Sequence, residues 1–305
     1  MVERVAYDEF SMFHENASEY GIEWTGPPSV RREQVGMADG RAMSALIWGQ
    51  AEPEVVLIHG GAQNAHTWDT VALALDRPLV AIDMPGHGHS DQPADGAANV
   101  DRNAQDLAVV IETLAPQAKM VVGMSLGGLT SIALVGEAPH LVRRHVLVDI
   151  TPGVNHEKAS KIAAFVNGPE SFDSFDELLA RTIEFNPTRS QASLRRGILH
   201  NAEQREDGSW VWRHARHRVF ERGGVEGGGA ERDYGRLWDQ LEAAEAPLML
   251  VRGMREQSVV DDADQAELEQ RRPDARVEQV VDAGHSVQGD APLELALLLE
   301  SFISD

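Results

Sequence analysis

Three short segments carry residues that could act together in nucleophilic chemistry. Gly123-Met124-Ser125-Leu126-Gly127 is a Gly-x-Ser-x-Gly pattern between an apolar run at 119–123 and a helix-like run at 126–135. A serine on such a strand-to-helix turn is pushed out above the sheet. Glycines remove side chains that would clash, and the helix N-terminus favours developing negative charge. His59-Gly60-Gly61-Ala62 follows a second apolar run, Val55–Ile58. Glycines after a strand let backbone N–H groups approach a ligand, so Gly61, or Ala62 beside it, would join the N–H of Leu126 as an oxyanion donor. Asp282-Ala283-Gly284-His285 follows the last strand-like run. It puts His285 where a general base can reach a serine hydroxyl. His59, and His87 and His89 in a Gly-spaced turn, are expected to be structural.

These residues need a frame that brings three strand ends to one edge. Residues 29–35 and 42–48 form a hairpin by their alternation around Ala38-Asp39-Gly40. Short apolar runs at 55–58, 78–82, 119–123, 145–150, 247–252 and 276–281 have the character of strands buried on both faces. Helical spacing separates them at 67–75, 104–114, 126–135, 263–271 and 293–303. Alternating strands and helices predict an α/β fold with a mostly parallel sheet flanked by helices. The rhythm breaks at 153–234, which is more polar and has helical stretches. That segment is expected to be an inserted, mainly helical lid on a core of residues 29–152 and 235–305. Residues 1–28 form an N-terminal extension that either packs on the surface or docks on a second copy in a homodimer.

Composition narrows the function. The chain has 305 residues, no cysteine, and a formal net charge of −22. The missing cysteines exclude thiol catalysis, disulfides and Cys-ligated zinc. The acidic balance argues against nucleic acid as a partner. No apolar run is long enough for a membrane span. With no secretory signal at the N-terminus, a cytoplasmic location is expected. The histidines lack metal-ligand spacing with carboxylates, so neither metal nor cofactor is expected.

Together, His59-Gly60-Gly61, Asp83-Met84-Pro85-Gly86-His87-Gly88-His89-Ser90, Gly123-Met124-Ser125-Leu126-Gly127-Gly128 and Gly284-His285 resemble the α/β-hydrolase superfamily, in the family's order, over about residues 30–305. The resemblance implies an eight-stranded, mostly parallel sheet, a lid after the sixth strand, and a Ser–acid–His triad in that chain order. The acid departs from the pattern. Most members carry an aspartate after the seventh strand, where this chain has Gly253-Met254-Arg255-Glu256-Gln257-Ser258. Glu256 takes the place without a gap; Ser258 takes it after a one-residue shift and leaves it empty. Some branches place the acid after the sixth strand, where Asp149 stands. The exposed character of the stretch around Glu256 favours Asp149, and both remain candidates.

Trp210-Val211-Trp212 puts two indoles on one side of an extended segment, with His200, His214, His217, Phe165 and Phe185 nearby. These residues make either a pocket wall or the lid's own core. Met124, His66 and Trp68 are further candidates to face a small-molecule substrate. The expected reaction is hydrolysis of an ester or lactone of a small, mainly apolar substrate. Carbon–carbon bond hydrolysis of a diketone-type substrate and non-catalytic ligand binding are the alternatives. Dehalogenases and epoxide hydrolases of this fold need a carboxylate where Ser125 stands.

Overall fold

The computed structural model describes residues 4–93, 99–154, 157–166, 168–169, 171–214 and 234–305. Helix α1 (Phe13–Tyr20) precedes a hairpin of β1 (Val30–Gly36) and β2 (Ala42–Trp48). Then come β3 (Val55–Ile58), α2 (Asp69–Leu75), β4 (Leu79–Ile82), α3 (Val100–Leu114), β5 (Met120–Met124), α4 (Leu126–Glu137) and β6 (His145–Val148). An insertion follows, with α5 (Ser160–Val166), β7 (Ser171–Phe172), α6 (Phe175–Phe185), α7 (Gln191–Asn201), β8 (Ala202–Gln204) and β9 (Trp210–Trp212). The alternation resumes with α8 (Gly235–Ala243), β10 (Leu248–Gly253), α9 (Asp262–Arg271), β11 (Arg276–Val280), α10 (Val287–Asp290) and α11 (Pro292–Ser304).

The main sheet has eight strands in the order β1-β2-β4-β3-β5-β6-β10-β11. The β1–β2 and β2–β4 pairs are antiparallel, and every pair from β4 to β11 is parallel. Every residue of β3, β4, β5, β6 and β10 is buried, as their short, mainly apolar runs predict, with His145 and Arg252 the polar side chains among them. One face carries Leu107, Ile111, Ile132 and Leu134; the other carries Trp68, Leu75, Leu299 and Phe302. Each such side chain stabilises the fold by about 1.5–3 kcal/mol through burial.

One expectation needs correction. Strand β6 stops at Val148, not at residue 150, because Asp149 turns into the left-handed region at φ 47°. The insertion is mainly helical as expected, and also carries a small antiparallel sheet, β7-β9-β8. Strands of two or three residues are too short to leave a periodic signal. The N-terminal stretch packs on the main fold. Phe13 is 2% exposed and its ring centroid lies 4.9 Å from that of Trp48. No described helix is long and apolar enough to cross a membrane.

Candidate active site

Strands β5, β6 and β11 deliver the three candidate residues to one edge of the sheet. Ser125 follows β5 with φ 52° and ψ −120°, a backbone conformation that costs an L-residue strain and sets the side chain outside the strand and helix. Two glycines make the turn possible. A Cβ on Gly123 would lie 2.6 Å from the carbonyl oxygen of Gly127, and one on Gly127 would lie 2.5 Å from those of Ile58 and His59. The elbow therefore presses against the loop after β3. Ser125 is partly exposed while the strand leading to it is buried.

Asp149, fully buried, is held from four directions. Its Oδ1 accepts from the N–H of Gly253 (2.9 Å) and the hydroxyl of Ser258 (2.6 Å). Its Oδ2 accepts from the N–H of Val259 (3.0 Å) and lies 2.9 Å from His285 Nδ1. Three of these four contacts come from β10 and the loop after it. The carboxylate springs from β6 and spans the end of the neighbouring strand. Ser258, one of the two positions that the sequence offers for the usual aspartate, donates to Asp149. Glu256 is exposed and lies 3.5 Å from the Gln257 amide nitrogen. The structure brings Asp149, not Glu256, to His285.

The loop after β3 is fixed by its histidine and by the insertion. His59 lies wholly buried, accepts from the N–H of Met84 (2.9 Å) and meets the carbonyl of Gly60 (2.7 Å). Burial, then the neighbouring His87, pushes its pKa down to about 3, so it is neutral. The N–H of Ala62 donates to His87 Nε2 (3.1 Å), which leaves Gly61 and Leu126 as the candidate oxyanion donors. The carbonyl of Ala62 accepts from the Asn201 side chain (2.6 Å), at the end of α7. Asn64 donates to the carbonyl of His200 (3.0 Å). No spacing in the sequence marks these two asparagines.

A family model for the alpha/beta hydrolase fold matches residues 53–292. The chain belongs to the α/β-hydrolase fold family. Among its relatives is Esterase Rv0045c of Mycobacterium tuberculosis, 44% identical over 301 residues, covering 96% of this chain and 95% of that protein. The crystal structure of that esterase matches with a TM-score of 0.82 at 42% identity, over 99% of this chain and 100% of the other. A 3-hydroxybutyrate-oligomer hydrolase of Cupriavidus necator is 28% identical over 84% of this chain and 90% of its own. This α/β-hydrolase is accordingly an enzyme that cleaves bonds with water.

The other candidates of this α/β-hydrolase fall in different places. Met124 is buried, with its sulfur against Gly60. Trp68, considered for the pocket, is fully buried in the core beneath the sheet. Trp210 packs on Phe175 in the insertion's own core, ring centroids 5.0 Å apart. Trp212 contacts Phe165 and Phe172 and lines a cavity of about 150 Å³ between the core and the insertion. His217 lies outside the described residues.

His66 also lines that cavity, and both its ring nitrogens are taken. Nδ1 meets Asp69 at 2.9 Å and Nε2 meets Glu9 at 3.0 Å. Burial opposes its charge, but the two carboxylates overcome this and raise its pKa to about 9. Glu9 is driven down to about 2 against its own burial, by hydrogen bonds from His66 and Arg32. The His200 ring stacks on His66 at 3.8 Å. His66, Asp69 and His200 place ligand-capable atoms within 4.8 Å of one another, a convergence that sequence spacing did not show. With His66 protonated, a cation would have to displace that proton to enter.

Proposed function

We propose that this hydrolase cleaves an ester or lactone of a small molecule by two-step acyl transfer, with Ser125 as nucleophile, His285 as base and Asp149 as the triad acid. The observation that carries the reading is the Asp149–His285 pair. His285 Nδ1 is engaged at 2.9 Å, while Nε2 has no hydrogen-bond partner among the described residues. A neutral imidazole so held keeps its proton on Nδ1 and offers the lone pair of Nε2 to the serine hydroxyl.

In the first step His285 accepts the proton of Ser125 as its oxygen adds to the ester carbonyl. The oxyanion is stabilised by the N–H groups of Leu126 and Gly61. His285⁺ then protonates the leaving alcohol as the C–O bond breaks. In the second step His285 takes a proton from water, hydroxide adds to the acyl-enzyme, and the acid is released as Ser125 regains its proton. These steps use only groups of the chain itself. The insertion, tied to the oxyanion loop through Asn201, acts as the lid of the site, and Trp212 walls the substrate pocket. The likeness to Esterase Rv0045c favours hydrolysis of an ester over cleavage of a carbon–carbon bond.

A fluorophosphonate probe followed by a panel of 4-nitrophenyl esters, lactones and vinylogous diketones tests this reading. Ser125 should be labelled, and esters or lactones turned over. Labelling failure in folded protein, or turnover of diketones alone, would overturn it.

A further inference from the structure

Arg189 lies in the turn between α6 and α7, on the wall of the cavity beneath the insertion. Its Nη2 donates to the hydroxyl of Ser193 (2.7 Å), while its Nε is buried and has no acceptor. Among the described residues it forms no ion pair within 4.0 Å. Asp290, on the facing α10, and Glu19 favour its charge only from beyond that distance, and Asp290 accepts instead from the N–H of Gly284 (2.9 Å). Arg196 lines the same cavity and is paired with Glu19. The protein has 49 acidic residues against 27 Lys and Arg, so an unmatched arginine in a half-buried position does not come from a shortage of carboxylates. A guanidinium removed from water without a counter-charge is costly, and an anionic ligand relieves that cost.

The position points toward the reaction centre. The guanidinium packs on Gly289, where an added Cβ would come within 3.0 Å of its central carbon. Gln288, next in the wall, reaches Gln63 at 3.4 Å and leaves its own buried carbonyl oxygen unpartnered. Gln63 in turn accepts from the N–H of Gly60, which abuts Ser125. Ser286, the neighbour of His285, lies on the same wall. The lining thus runs from Ser286, next to His285, to a guanidinium with no carboxylate within 4.0 Å among the described residues.

We propose that Arg189 anchors a carboxylate carried by the substrate, so that the preferred esters are those of molecules with a second, free acid group. This rests on the ester-hydrolase reading above. A carboxylate accepts two parallel N–H bonds from a guanidinium, a geometry a lysine cannot supply.

The test compares kcat/KM for matched charged and neutral esters. 4-Nitrophenyl hydrogen glutarate against 4-nitrophenyl hexanoate places the charge on the acyl side. 4-Acetoxybenzoate against 4-acetoxybenzamide places it on the alcohol side. The wild-type enzyme should prefer the charged member of one pair, and Arg189→Gln should cut that charged-to-neutral ratio about 10- to 100-fold, mainly through KM. Arg189→Lys should retain part of the preference. A purely structural role would lower both members together and leave the ratio unchanged, which overturns the proposal, as would a wild-type ratio favouring neutral esters in both pairs. If no ester or lactone is turned over, the functional reading fails and this one with it. If neutral esters are cleaved but the ratio ignores Arg189, this inference alone fails.

Discussion

The molecule holds two buried His–Asp pairs with the same 2.9 Å separation, His285–Asp149 and His66–Asp69. They differ in what the far ring nitrogen meets. In His66 it meets a second carboxylate, Glu9, and the imidazole is held charged between two anions. In His285 it has no partner among the described residues, and a strained serine stands on the end of β5, three positions from β11 in the sheet. A carboxylate beside a histidine is therefore not the mark of a base. The mark is one nitrogen fixed and the other free. The acids differ in the same sense: Asp149 uses both oxygens in four contacts, whereas Asp69 keeps one buried oxygen without a partner.

The largest effect should come from breaking the proposed catalytic pair. Asp149→Asn should lower kcat by about 10⁴-fold while leaving KM within a few-fold, because the wrong tautomer is held. Steady-state kinetics on the best ester of the panel measures it. A second change sharpens the reason. Ser258 lies 2.6 Å from Asp149, so Asp149→Asn combined with Ser258→Asp should recover at least about 10-fold of the lost kcat by restoring a carboxylate from the β10 side. An unrescued double variant would mean that the loop after β10 cannot present an acid to His285.

The structural pair should respond differently. His66→Gln leaves the buried Asp69 without its cation and Glu9 with Arg32 alone, and should lower Tm by about 10 °C, with a smaller change in kcat than in Asp149→Asn. Its pH signature has a definite sign. The pKa of His66 is raised from 6.5 to about 9, so its contribution is complete below pH 6.5 and is lost as pH rises through 9. The wild-type Tm should fall across that window, and His66→Gln should flatten the fall. The smallest effect belongs to the remaining acid candidate. Glu256→Gln, on an exposed side chain, should change kcat by less than about 2-fold.

The frame was legible because strands buried on both faces leave short apolar runs, and those at 55–58, 119–123 and 247–252 fall within a residue or so of the observed strands. Motif and position singled out Ser125 and His285 as candidates. For the acid the sequence favoured Asp149 without excluding Glu256, because strands β6 and β10 end at the same edge and sequence order does not say which loop reaches across. Ser258 was the available clue: a hydroxyl in the place of the missing aspartate fits a carboxylate arriving from elsewhere. The small sheet of the insertion, the Asn201 tie and the placement of Arg189 on the cavity wall depend on contacts between distant segments, which local periodicity does not carry.

The N-terminal stretch has a consequence for how the protein unfolds. Phe13 lies against Trp48, while Glu9 supports His66 and Arg32 beneath the cavity, and Arg32 also holds Asp83 in the turn after β4. A chain shortened to begin at Ser29 would keep every catalytic residue yet lose one of the two counter-charges of a buried histidine and expose an apolar face of the core. What looks in the sequence like an appendage belongs to the same cooperative unit as the sheet, and the two should melt in a single transition.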